Sequence, residues 1–281
     1  MNVAKTIEEI RRMVAAARAA GKTVGFVPTM GALHAGHYSL IAAASTACDF
    51  VVVSIFVNPT QFAPGEDLAA YPRTEETDLA GCESRGADAV FLPSVEEMYP
   101  DRPRTSVHVA ELGEGLCGAS RTGHFDGVCT VVAKLFHIVA PDQAFFGAKD
   151  FQQGAIVQRM VSDLNFPVDI VLCPTVREAD GLAMSSRNAY LSPGEREQAP
   201  ALHAALRAAG ELIRREHPPA RQVVAAIRRH IAAHAPDGRV DYVQIVDPAT
   251  LADVETTDPP VLIALAVRLG KARLIDNVLV D

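Results

Sequence analysis

Thr23-Val-Gly-Phe-Val27-Pro-Thr-Met-Gly-Ala-Leu-His34-Ala-Gly-His37 runs into a helical stretch, His34–Ala47, and then into Phe50-Val-Val-Val-Ser-Ile-Phe-Val57. Thr23–Val27 has the β-branched content of a strand, and Pro28 is expected to stop it. Leu40, Ile41 and Ala44 share one face of the helix that follows. Phe50–Val57 is apolar almost without interruption, the pattern of a strand covered on both faces in a parallel sheet. These pieces make one βαβ unit with a glycine-containing loop before its helix.

The alternation continues outward. Thr6-Ile-Glu-Glu9 fits a capping box, and Ile7, Ile10, Val14 and Ala17 follow at helical spacing until Gly21. A helix over Thr74–Arg85 ends at Gly86, and a strand is expected at Ala89–Leu92. Helices over Phe125–Val139 and Asp150–Leu164 bracket a strand at Ala144–Phe146, and Phe166–Cys173 reads as another strand. This order predicts an α/β fold, a doubly wound, Rossmann-like parallel sheet. The texture changes after Thr175. Ser192-Pro-Gly-Glu195 opens what reads as one long helix to Glu216, with Ser as cap and Pro at the first helical position. The turn His217-Pro-Pro219, a helix to His234 and strands at Val240–Val246, Val261–Val267 and Ala272–Val280 complete a smaller α+β half. The expected division is residues 1–175 and 176–281.

The 281 residues can bury a core without disulfides or metals, and an apolar share of 49% against 21% charged residues excludes wholesale disorder. Lys and Arg number 26 against 34 Asp and Glu, a net charge of -8, which argues against nucleic acid as the main partner. No apolar run approaches the ~20 residues of a membrane span, and the first residues lack a signal-peptide core. Cys48, Cys82, Cys117, Cys129 and Cys173 are scattered, with no Cys-x-x-Cys pair. They read as reduced thiols of a cytoplasmic protein.

Four polar stretches fall at expected strand ends or at the domain boundary. In Pro28–His37 a helix N-terminus offers backbone N–H groups and a positive dipole end to an anion. His34 and His37 share a helix face and could stabilise a leaving pyrophosphate; they could equally be a metal pair or two surface histidines. Asn58-Pro-Thr-Gln61-Phe follows the buried strand, where its amides could meet a small polar substrate, or where Asn-Pro simply turns. Gly147-Ala-Lys149-Asp150-Phe-Gln-Gln153 opens a helix, with Lys149 placed to reach phosphates or only solvent. Arg177–Asn188 contains Ser185-Ser186-Arg187 at the boundary and suits a mobile polyphosphate clamp. Together these supply cations, hydroxyls and helix N-termini for a nucleoside triphosphate, and three side-chain amides for a hydroxy acid.

These segments, with Ser54–Phe62, Tyr71–Thr74, His124–Phe136 and Asp241–Val280, resemble the pantoate–β-alanine ligases over essentially the whole chain. His34-Ala-Gly-His37 resembles the His-x-Gly-His motif of the wider nucleotidyltransferase superfamily, and Met184–Arg187 its second loop. The resemblance implies that ATP, with Mg²⁺ as counter-ion, activates pantoate as an acyl adenylate that β-alanine then attacks. It implies ATP contacts at Met30, Gly31, Ala32, Leu33, His34, Ala35, Gly36 and His37, at Gly147, Ala148, Lys149 and Asp150, at the Val176 backbone, and at Met184, Ser185, Ser186 and Arg187. Catalytic roles are implied for His37, His34, Lys149 and Arg187. Gln61 and Gln153 would bind pantoate, and Gln61 with Asn58 would serve β-alanine. The second domain becomes a lid, and a homodimer in the cytoplasm is implied. Ala148 departs from the glutamate common in the family. Asp78 is a possible indirect metal anchor, but Thr77 and Gly81 beside it are poor ligands, so no metal ligand is assigned. Transfer to a phosphorylated or different small acid, an RNA-binding module and a catalytically silent homologue are the rivals. The first lacks extra cations, the second a basic stripe, and the third would have lost His37, Lys149 or Arg187.

Overall fold

The computed structural model describes all residues from Met1 to Asp281. In chain order the first elements are β1 (Asn2–Ala4), α1 (Ile7–Ala19), β2 (Val24–Thr29), α2 (Ala35–Ala47), β3 (Phe50–Ile55), α3 (Glu75–Ser84) and β4 (Ala89–Phe91). They continue as α4 (Val95–Met98), α5 (Cys117–Ser120), α6 (His124–Val139), β5 (Gln143–Gly147), α7 (Phe151–Leu164) and β6 (Asp169–Cys173). The C-terminal part holds α8 (Pro193–Gln198), α9 (Ala201–Glu216), α10 (Ala220–His234), β7 (Arg239–Val246), β8 (Val261–Leu269) and β9 (Ala272–Val280). Two compact units result. Unit 1 is Met1–Val109, Arg121–Ala148 and Gln153–Pro174; unit 2 is Ala110–Ser120, Lys149–Gln152 and Thr175–Asp281.

Unit 1 carries a six-stranded sheet in the order β1-β4-β3-β2-β5-β6, parallel throughout. The expected doubly wound α/β sheet is therefore what forms. Val27 packs with Leu40 and Ile41 of α2 on one face, while Phe26 meets Phe136 of α6 edge-on at 6.4 Å on the other. That two-sided burial is why β2 and β3 are written almost entirely in apolar residues. The strand order reverses between β2 and β5, and open α/β sheets bind ligands beyond the carboxyl ends of strands at such a point. The loops that leave β2 and β5 are Met30–His34 and the turn at Ala148–Asp150.

Pro28 does not stop β2, which runs on to Thr29. The Thr29 carbonyl accepts from Phe56 N on the β3 side, while the Val24 carbonyl accepts from Asp142 N on the other. Alternation turns Pro28 toward β5, where pairing ends at Phe26 opposite Ala144, so its missing N–H removes no ladder bond.

Unit 2 lays α9 and α10 on an antiparallel sheet, β7-β8-β9, with Leu202, Leu206, Ile213, Ile227 and Ile231 facing Ile263, Leu265 and Val267. Ser192 and Glu195 form the expected capping box. The single long helix expected after them is two, α8 and α9, because Pro200 at the junction has no N–H to continue the first. No helix is long and apolar enough to cross a membrane.

Candidate active site

In unit 1 the loop after β2 is shaped by its own backbone. Gly31 and Ala32 both take positive φ, +80° and +50°, a conformation that turns successive amides inward as an anion-binding concavity. The anion that fills it is internal. Asp78 of α3, 1% exposed, accepts from Ala32 N and Leu33 N at 2.8 Å each, and from the Thr74 hydroxyl at 3.1 Å. Asp78 thereby acts as the peg that holds the loop. No group of three or more His, Cys, Asp or Glu side chains is arranged to hold a metal.

The two histidines close the start of α2. His34 is the N-cap and its Nδ1 accepts from Gly36 N at 3.1 Å. His37 Nδ1 accepts from His34 N at 3.3 Å, and the rings lie 4.1 Å apart. A ring nitrogen that accepts an N–H carries no proton, so in the neutral imidazole the proton sits on Nε2. The backbone thus makes both side chains Nε2–H donors.

Gln61 stands beside this loop, its Nε2 donating to Met30 Sδ at 3.0 Å. Its Oε1 accepts from Asn58 Nδ2 at 3.1 Å. Asn58 is 1% exposed; its Nδ2 also donates to the Gly127 carbonyl, and its Oδ1 accepts from Thr60 and from the Tyr99 hydroxyl. Asn58 thus directs both ends of its amide inward, and it fixes Gln61. α6 reaches this turn only because residue 127 is glycine: a Cβ there would strike the Thr60 carbonyl. The Gln61 carbonyl is held in turn by His124 Nδ1 at 2.8 Å. Arg121 donates to both Glu66 oxygens at 2.8 Å and keeps that carboxyl down at about 2. Gln153 lies half-buried on the first turn of α7.

In unit 2, Lys149 and Asp150 occupy the turn before α7, their charges 4.0 Å apart. Gln152, which the sequence does not single out, is buried and ties the Leu112 and Gly115 carbonyls and the Cys117 amide. Arg177–Ala183 forms a tight hairpin, closed by an Arg177–Ala183 bridge and by Met184 N donating to the Val176 carbonyl. Arg196 bridges Glu178 and Asp180 at 2.6 Å each and lowers the Asp180 carboxyl below its ordinary value. Ser185 then caps the turn Ser186–Tyr190, its Oγ accepting from Arg187 N.

Sequence reasoning does not mark Tyr99, Arg121 and Glu66 as site supports, nor Asp78 as the peg of the loop. Their partners lie tens of residues away, and no spacing rule links them. The signal available in the sequence is slight, an apolar neighbour in Leu79; that Asp78 is more deeply buried than Glu75 and Glu76 is seen only in the fold.

The pantoate-beta-alanine ligase family model matches residues 2–279. A curated pantothenate synthetase of Moorella thermoacetica is 54% identical over 281 residues, 100% of this chain and 99% of that protein. One from Acidobacterium capsulatum is 55% identical over 290 aligned positions, 99% of this chain and 97% of that protein. Among solved structures, the pantothenate synthetase of Thermus thermophilus superposes with a TM-score of 0.93 at 47% identity, covering 100% of this chain and 99% of that one. The ligase of Francisella tularensis, complexed with beta-gamma ATP and β-alanine, gives 0.82 at 34% identity, covering 99% and 97%.

Proposed function

The chain belongs to the pantoate–β-alanine ligase family, and from that membership we propose that it forms pantothenate from pantoate, β-alanine and ATP in two steps. In the first, a pantoate carboxylate oxygen attacks the α-phosphorus of ATP and pyrophosphate leaves. In the second, the β-alanine nitrogen attacks the acyl carbon, loses a proton, and AMP leaves. A free carboxylate resists attack by an amine; adenylation replaces its oxide with AMP as leaving group. The protein's task is then positioning and charge stabilisation.

The observation that carries this reading is the pair of backbone-locked Nε2–H donors on the loop after β2. His37 and His34 donate to phosphate oxygens as charge moves onto pyrophosphate. Met30, Gly31, Ala35 and Gly36 line the nucleotide; Ala32 and Leu33, with their amides held by Asp78, shape the loop. Gly147 and Ala148 approach the nucleotide through backbone, Lys149 serves the phosphates, Asp150 the ribose and the Val176 segment the adenine. Met184, Ser185 and Ser186 close over the triphosphate, and the Arg187 guanidinium offsets its charge. Gln61 serves both pantoate and β-alanine with Asn58 behind it, and Gln153 serves pantoate. ATP would carry Mg²⁺ as its counter-ion. A cytoplasmic homodimer, with residues 176–281 as a lid on 1–175, belongs to the same proposal.

The test is ATP-dependent pyrophosphate release with a panel of small acids, phosphorylated ones included. Release with pantoate above the others supports the reading. Preference for a phosphorylated acid would support the superfamily alternative instead.

A further inference from the structure

Along β9 the alternation Ala272, Leu274, Asp276, Val280 marks the face turned to the core. Asp276 is a carboxylate at a position where the pattern calls for an apolar side chain, and it is 4% exposed. It receives Arg177 as a two-pronged pair, 2.7 and 2.9 Å. Its neighbour Asn277 donates from Nδ2 to the Lys149 carbonyl at 2.8 Å. Adjacent residues of one strand thus grip two segments that are far apart in the chain, at 149 and at 177. Both segments lie in unit 2.

We propose that Asp276 and Asn277 form a positioning dyad that sets Lys149 and the Met184–Arg187 loop in fixed register for the adenylation step. The proposal rests on the ligase reading above. On the Asp276 side the mechanical path is short. Arg177 also donates to the Gly181 carbonyl, and the imidazole of His203 closes against Gly181, where φ is +93° and a Cβ would meet the ring. Two residues after the bridge at Ala183 comes Ser185, whose Oγ starts the turn bearing Arg187. Lys149, Ala183, Ser185 and Asp276 line one cavity of about 10 Å³. The two gripped segments therefore converge on one shared space.

Asp276 is paired with a cation inside the fold, and a variant there leaves Arg177 uncompensated, which endangers folding. Asn277 is neutral and half-buried, so it is the cleaner probe. Asn277→Ala should lower kcat/KM for ATP in pyrophosphate–ATP exchange by about tenfold while leaving the KM for β-alanine unchanged. In a Lys149→Ala background the same substitution should add little, because the group it positions is gone. Amides of residues 148–152 should exchange with deuterium faster in Asn277→Ala, and amides of residues 183–188 faster in Asp276→Asn. Equal losses from Asn277→Ala in both backgrounds would reduce Asn277 to general stability and overturn the proposal, as would unchanged amide exchange. Wild-type enzyme without pantoate-dependent exchange would count against the ligase reading; the deuterium experiment would still decide the dyad.

Discussion

Each imidazole of the loop after β2 commits Nδ1 to the backbone, which leaves its proton on Nε2. The two residues differ in what else they hold. His34 is the helix cap; His37, at the third helical position, returns a bond to the His34 amide and so holds the second half of the capping box. His37→Ala should cost about 2–4 kcal/mol of barrier in pyrophosphate release, the range for losing one charge-stabilising donor, with a smaller loss of stability than His34→Ala. His34→Ala should lose both rate and stability, the latter by about 1 kcal/mol. His34→Asn separates the two, because asparagine caps well but has no Nε2–H: the melt should recover and the rate should not. Rate recovery in His34→Asn would show that His34 matters only as a cap.

At the scale of elements, the start of α6 and the turn after β3 are joined by Arg121, Glu66, His124 and the Gln61 carbonyl. Arg121 holds the Glu66 carboxyl at about 2, against an ordinary 4.5. A depressed folded value means stability that is full above the unfolded value and lost as pH falls through the folded one. The window is therefore from about 4.5 down to about 2. In acid titrations followed by circular dichroism, Glu66→Gln should lose stability less steeply across that window than the parent protein, and identical slopes would remove the pair as a source of acid sensitivity. The sheet itself is legible in the sequence, because two-sided burial forces runs such as Phe50–Ile55 to be apolar almost throughout. β1 is not: three residues on a sheet edge, paired only with β4, leave no periodicity to read. Pro28 and Pro200 show the same residue type with opposite outcomes, since a proline's effect depends on whether its missing N–H had a partner. Of the site, the histidine motif and the Gln61 turn are legible as loops at strand ends. Asn58, Asp78 and Tyr99 are not legible as supports, because their contacts exist only after folding. Asp276 does leave a mark, a charge breaking the apolar alternation of β9.

For the whole molecule, the family membership carries the ligation, and the order of chemical events is the claim that needs its own test. If an acyl adenylate forms first, the first half-reaction runs without the amine. Water must then be kept from the adenylate, so Arg187→Ala should slow adenylation and also release AMP without pantothenate. The direct measurement is exchange of labelled pyrophosphate into ATP, with each substrate omitted in turn. Exchange is expected with pantoate, ATP and Mg²⁺ present and β-alanine absent, and none without pantoate. Exchange that strictly requires β-alanine would contradict this order and place all three substrates in one concerted step.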